Sequence, residues 1–316
     1  MPRFHYISCF NPPWHNETNV YNAMTLQGCD VRCYEVTNQH DRPGTRGRPA
    51  IKPGDIVFTA TPHRILLSEL RTYKNQGAKL VTWYWDWLWS LQNREAAYLP
   101  RLLLMDAVFS TDGSSSAEYI RRGVQCRQYL PQCAAPEPRL RLPPSGTKKH
   151  DVIFVGSLWT PDRKELARRL SLRWDFANVG AGPRVWGRPL SNACQSSSIC
   201  IGTNFRNDEP GYWSDRCYVV MGAGGFYLGQ YVQELEQTFT GRVHCGFFDG
   251  LKDMEEQVEW WLAHPAEREA CRLRGHALVQ EQHTYTNRVT VLLAKLRSLG
   301  ILGGRAMNHS ERTRSG

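Results

Sequence analysis

No stretch of this 316-residue chain approaches the roughly 20 consecutive apolar residues that cross a bilayer, and its opening, MPRFHYISCFNPPW, holds no hydrophobic signal region. Those two absences set the expectation of a soluble, cytoplasmic protein with no membrane partner. Ten cysteines occur without a CxxC pair or zinc-ligand spacing. They read as reduced thiols in apolar positions, Cys9, Cys200 and Cys217 among them. Cys29 and Cys33 share one face of a short strand, which does not make a metal pair. No DxD motif is present, and no metal ion is expected. Acidic residues are in the minority, 30 against 39 Lys and Arg, for a net charge of +9. Apolar residues are plentiful at 41%, enough for two cored domains and too many for a disordered or fibrous chain.

Proline interrupts the chain at PQCAAPEPRLRLPPSGTKKH, residues 131–150. Before that break, strands are predicted over 4–9, 31–36, 55–59 and 80–84, with another from 108. Helices are predicted over 19–27, 63–75 and 115–122, the last with a Ser115 and Glu118 capping box and a stop at Gly123. After the break the alternation resumes. The pattern predicts an α/β protein of two doubly wound, Rossmann-like domains, residues 1–147 and 148–302, with a basic, disordered tail over 303–316. Ligands of such sheets bind beyond the carboxyl ends of the strands, so the active site is expected in the interdomain cleft. A final helix near 286–299 could return to the first domain.

The most telling segment is YWSDRCYVVMGAGGFYLGQYVQELEQTF, residues 212–239. Ser214 suits a helix N-cap, and Asp215 suits the positive end of a helix. Arg216 then falls in the first turn, where amides and a guanidinium can share phosphate oxygens. Gly224 and Gly225 would let the backbone turn sharply and approach a ligand before residues 226–228 enter a sheet. Taken alone, these residues fit a nucleotide diphosphate site, and equally an ordinary helix-to-strand turn with a surface arginine.

The flanking sequence points further. Upstream lies DVIFVGSLWTPDRK (151–164) and downstream EEQVEWWLAHPAEREACRLRGHALVQEQHTYTNRV (255–289). In that order, a VGS strand end with a basic residue nearby, a Ser-acid-Arg helix, a Gly-Gly strand and an HPxER to HTYxxRV tail resemble the C-terminal domain of group-1 glycosyltransferases. The nearest flavour is the CgeB-like, spore-maturation branch with the GT-B architecture. The resemblance covers roughly residues 151–296 and implies sugar transfer from a nucleotide diphosphate sugar, with UDP the expected nucleotide and no other cofactor. It places Gly156 and Ser157 in the loop facing the diphosphate, Arg163 or Lys164 as the basic contact, and Arg216 as the arginine of an RxFE helix motif. This chain reads Arg216-Cys217-Tyr218-Val219 there, so Val219 stands where the family's ribose-binding glutamate would be. Asp208, Glu209 or Asp215 could substitute for it. Trp186, within 185–187, and Asn204 complete the expected donor site.

On the acceptor side, catalytic candidates sit in loops after strands of the first half. Asp86, in LVTWYWDWLW, lies among Trp83, Trp85, Trp87 and Trp89, where desolvation would suit a general base; the competing reading is a helix cap beside core tryptophans. His63, in TATPH, and the pair His15 and Glu17, in the loop after the first strand, are the other catalytic candidates, and Asp112 reads as a turn residue. Trp14, Glu17, Arg46, Arg48, Trp85 and Trp87 are the expected acceptor-binding residues. The positive charge, clustered in loops at Arg42, Arg46, Arg48 and Lys52 and again at Arg121, Arg122 and Arg127, suits a polyanion. Eleven tryptophans offer stacking surfaces. Small relatives of this family occur in phages that glycosylate modified bases, so the resemblance implies DNA carrying hydroxymethyl-type pyrimidines as acceptor and partner, and a host-cytoplasmic location if phage-encoded; a monomer is favoured, with the oligomeric state left open. A saccharide, protein or small-molecule acceptor, or a non-catalytic nucleic-acid-binding protein on the same scaffold, stays open.

Overall fold

The computed structural model describes residues 2–10, 16–36, 47, 49–86, 94–113, 116–135, 148–180 and 187–303. In the first half the elements run β1 (Phe4–Ser8), α1 (Asn16–Leu26), β2 (Val31–Glu35), β3 (Ile56–Thr59), α2 (Leu67–Asn75), β4 (Lys79–Tyr84), α3 (Arg94–Leu102), β5 (Ala107–Ser110), α4 (Ser116–Arg121) and β6 (Cys126–Tyr129). The second half continues with β7 (His150–Val155), α5 (Pro161–Arg173), β8 (Phe176–Val179), α6 (Gly187–Gln195), β9 (Ser197–Gly202), α7 (Arg216–Gly222), β10 (Tyr227–Gln230), β11 (Gly246–Phe248), α8 (Gly250–Ala263), α9 (Pro265–Gln282) and α10 (Tyr285–Ser298).

Two parallel sheets result, ordered β2-β1-β3-β4-β5-β6 and β11-β10-β9-β7-β8. Strands β3, β5 and β9 are buried along their whole length, as expected of a sheet covered on both faces by helices. The two-domain, doubly wound α/β reading therefore holds.

The domains are laced together where the chain recrosses between them. Ala134 pairs with Thr284; the Ala134 amide donates to the His283 carbonyl at 3.0 Å, and the Tyr285 amide donates to the Ala134 carbonyl at 3.0 Å. Past this double crossing α10 buries Tyr285, Val289, Leu292, Leu293 and Leu296 in the core of the first sheet, beside Val20 and Met24 of α1. The last helix does return to the N-terminal domain.

One helix differs from its expected form. The segment expected as a single helix over 63–75 is a short 3-10 turn, Pro62–Arg64, followed by α2. Ile65 and Leu66 between them are extended, with ψ of 135° and 138°. That conformation sends Ile65 fully into the core, and burying it outweighs local helix propensity. Ser115 and the tail beyond 303 lie outside the described residues. Gly123, at φ 82°, ends α4 as its sequence suggests.

Candidate active site

Strand β7 is the first strand of the second sheet, and the chain leaves it on one side to β8 and then on the other to β9. The carboxyl ends of β7 and β9 thus flank a topological switch point. Gly156 follows β7 at φ 131°, a conformation that disfavours any side chain. A Cβ there would also sit 2.9 Å from Nη2 of Arg216, and one on Gly202, at the end of β9, would sit 2.7 Å from its Cδ. The two glycines leave the space in which the Arg216 side chain lies across the strand ends.

Arg216 donates from Nε to the Val155 carbonyl at 2.5 Å, and from Nη1 to the Thr203 carbonyl at 2.5 Å and to Ser214 Oγ at 3.3 Å. Arg163 reaches the same point from α5. Its Nε donates to Thr203 Oγ1 at 3.3 Å, its Nη2 to the Thr203 carbonyl at 3.4 Å and its Nη1 to the Ser157 carbonyl at 3.2 Å. Both guanidinium groups lie over the Phe154 ring, 5.0 Å and 5.8 Å from its centre. Neither forms an ion pair with a carboxylate among the described residues. Burial, and then the neighbouring Arg216 charge, lower the Arg163 guanidinium to about 10. Two converging cations held on neutral oxygens form a site that favours an anion of two or more charges.

The other donor-side residues are placed as follows. Lys164 is exposed, so Arg163 is the basic residue that turns inward. Ser157 is exposed, and its carbonyl orients Arg163. Asn204 braces the β9 to α7 loop: its Oδ1 accepts from the Ser214 amide at 2.9 Å, and its amide groups donate to Asn207 Oδ1 at 3.1 and 3.2 Å. Ser214 stands one position before the helix cap; Asp215 is the cap residue, and Ser214 Oγ accepts from the Arg216 amide at 3.4 Å. Gly224 and Gly225, expected at the donor site, lie elsewhere. A helix in such a fold runs antiparallel to the strands, so the turn after α7 lies at the amino edge of the sheet, away from Arg216. There Gly224 (φ 82°) accepts from Arg272 Nη1 at 2.8 Å, and a Cβ on Gly225 would lie 2.9 Å from Cys200 Sγ. Trp186 lies outside the described residues.

On the acceptor side, Asp86 is exposed just past β4, so the expected desolvation among indoles is not found. The two described tryptophans before it point inward: Trp83 is fully buried with Nε1 donating to the Leu130 carbonyl at 2.8 Å, and Trp85 packs edge-on against it at 5.6 Å; Trp89 lies outside the described residues. His63 stacks on Tyr98 of α3 at 4.4 Å. Glu17 is the residue whose environment changes its chemistry. It is 5% exposed in the first turn of α1, at the carboxyl edge of β1, where Ser8 Oγ donates to its Oε1 at 3.4 Å. Burial pushes its carboxyl up to about 7, with Ser8 and Arg64 opposing and Glu35 adding. Tyr285, where the chain recrosses between the domains, feels the charges of both Glu17 and Asp215, the residue next to Arg216. His15, Trp14, Arg46, Arg48 and Trp87 lie outside the described residues.

Sequence reasoning missed Thr203, whose carbonyl gathers both arginines, and Phe154 beneath them. Their position at the ends of two central apolar strands was the available signal.

Residues 141–294 match the Glyco_trans_1_2 family, described as glycosyl transferase-like. No curated protein matches the chain at the level of sequence. Solved structures do match in fold. Sucrose-phosphate synthase from Thermosynechococcus elongatus is 13% identical, with a TM-score of 0.63 over 95% of this chain and 99% of that one. A UDP-forming α,α-trehalose-phosphate synthase from Burkholderia xenovorans is 13% identical, with a TM-score of 0.64 over 95% and 100%. Anabaena HepE in complex with UDP-glucose is 11% identical, with a TM-score of 0.61 over 94% and 100%. The chain has the GT-B fold.

Proposed function

We propose, from the premise that residues 141–294 form a glycosyl transferase-like domain on a GT-B fold, that this protein is a nucleotide-sugar-dependent glycosyltransferase. The observation that carries the reading is the convergence of Arg163 and Arg216 on the Thr203 carbonyl without a carboxylate partner among the described residues. In the proposed reaction the bond between the sugar's anomeric carbon and the diphosphate oxygen breaks, and its electron pair stays on the leaving diphosphate. The two guanidinium groups meet that developing charge. The acceptor hydroxyl oxygen forms the new glycosidic bond, and in an inverting transfer its proton passes to Glu17, whose raised proton affinity matches a general base working near neutrality. UDP is the proposed nucleotide, because HepE and the trehalose-phosphate synthase are described as UDP-binding or UDP-forming.

For the acceptor, we propose the hydroxyl of a hydroxymethyl-type pyrimidine in DNA, on the strength of the net charge of +9. A saccharide acceptor is the competing reading. It is favoured by the pairing of Arg121 and Arg122 with Glu118, and of Arg122 also with Glu95, which offsets two of the three charges of one basic cluster. Incubating the protein with nucleotide sugars and DNA, with and without hydroxymethyl pyrimidines, and weighing the nucleosides by mass spectrometry separates the two. A hexose- or pentose-sized gain on the modified nucleoside supports DNA. Release of nucleoside diphosphate with no such gain keeps the transferase and removes DNA as its acceptor.

A further inference from the structure

Beside the arginine bracket stands an aromatic pair whose exposure needs a cause. Trp159 is 60% exposed and Phe205 36% exposed, yet their rings stack at 5.4 Å and 18°. Trp159 is in the β7 to α5 loop, three residues beyond Gly156, and Phe205 is in the β9 to α7 loop, two beyond Thr203. These are the two loops that hold the bracket.

Neither ring is outside for want of anchoring. Leu158, just before Trp159, packs against the core of the second sheet. Thr160, just after it, caps α5, with its side chain accepting from the Arg163 amide. Asn204, just before Phe205, is 6% exposed and tied to Asn207 and Ser214. Arg206, just after it, is held by two bonds to Asp208, at 2.5 and 2.7 Å. Each aromatic side chain is thus presented outward between two fixed neighbours. The chain neighbours of the two rings carry hydroxyl, amide and charged side chains: Thr160, Asn204, Arg206, Asn207 and Asp208. The outer face of this stack, with Trp159 the more exposed ring, suits a sugar ring, whose C–H face covers the aromatic carbons while its hydroxyls turn to polar neighbours.

We infer that the Trp159 and Phe205 pair is the platform for the glycosyl ring of the nucleotide sugar. The inference rests on the proposed donor site and deepens it: the pair recognises the sugar and leaves the nucleoside diphosphate to Arg163 and Arg216. The two arginines hold the phosphates, and the ring attached to the distal phosphate lies on the aromatic surface.

The test is calorimetric titration of the full chain with UDP and with UDP-glucose. Wild type is expected to bind UDP-glucose more tightly than UDP. Trp159→Ala is expected to lose about tenfold in affinity for UDP-glucose, with UDP affinity within twofold of wild type. Phe205→Ala should behave the same way, and Trp159→Phe should restore most of the difference. Retained UDP binding reports an intact site in each variant. Equal losses on UDP and UDP-glucose would assign the pair to the nucleoside and overturn the inference, as would no loss on either. Failure of the donor reading looks different: wild type itself would then bind neither ligand, and the platform would fall with it.

Discussion

Replacing Arg216 with Ala removes a guanidinium that spans the carboxyl ends of β7 and β9 through the Val155 and Thr203 carbonyls. For ligand binding, losing one charge-assisted contact to a diphosphate costs about 1.5–3 kcal/mol, a roughly 10- to 150-fold weaker UDP complex. For turnover, losing one preorganised donor to the leaving group costs about 2.7–4 kcal/mol, or about 10² to 10³ in kcat. The fold should survive, because the substitution also relieves the crowding of two cations around Thr203. Arg216→Lys tests the geometry further. A lysine keeps the charge but cannot supply the planar fork that bonds two carbonyls and a phosphate together, so it should recover only part of the loss. The assays are UDP titration by calorimetry, nucleoside diphosphate release, and a thermal melt by circular dichroism. UDP affinity within twofold of wild type, with an unchanged melt, would refute the assignment of Arg216 to the donor diphosphate.

Gly156→Ala should abolish UDP binding and lower stability by roughly 1–3 kcal/mol, since φ is 131° and the added Cβ lies 2.9 Å from Arg216 Nη2; a melt and a UDP titration check both effects. Glu17, raised to about 7 by burial, ordinarily titrates near 4.3 in an unfolded chain. Its contribution to stability is therefore full below about pH 4.3 and lost as pH rises through about 7. Ser8 and Tyr6 on β1, Glu35 on β2, Arg64 beyond β3 and Tyr285 on α10 are the groups that act on it or feel its charge. Glu17→Gln should flatten that slope in melts across pH 5–8 and remove an ionisation near 7 from the rate profile; an unaltered profile would remove Glu17 as the base. Leu292→Ala, in the fully buried face of α10, should cost about 2–5 kcal/mol. If α10 closes the N-terminal core, hydrogen exchange of β1 and β3 should rise in that variant, whereas a rise confined to α10 would contradict the packing.

Much of the architecture was legible because parallel strands buried on both faces read as unbroken apolar runs, such as VIFV before Gly156 and ICIG before Thr203. Helical periodicity could also have separated Arg163 from Lys164, since Arg163 shares its face with the buried Leu166, Ala167 and Leu170. Three features were less accessible. The misplacement of Gly224 and Gly225 came from reading proximity in sequence to Arg216 as proximity in space; a seven-residue helix carries its two ends to opposite edges of the sheet. The aromatic context of Asp86 suggested burial, but Trp83 and Trp85 turn into the core and leave the carboxylate outside. Glu17 was placed on the acceptor side from its loop position, but its burial was not legible, because it depends on packing against the end of β1, where Ser8 meets it.

The central claim is that this chain transfers sugar from a nucleotide donor through the Arg163 and Arg216 bracket. Its most direct test is nucleoside diphosphate release from a panel of nucleotide sugars by wild type and by the double variant Arg163→Ala, Arg216→Ala. Wild type should release nucleoside diphosphate from at least one donor, and the double variant should lose about 10² or more of that rate. No release from any donor, or equal release by both proteins, would contradict it.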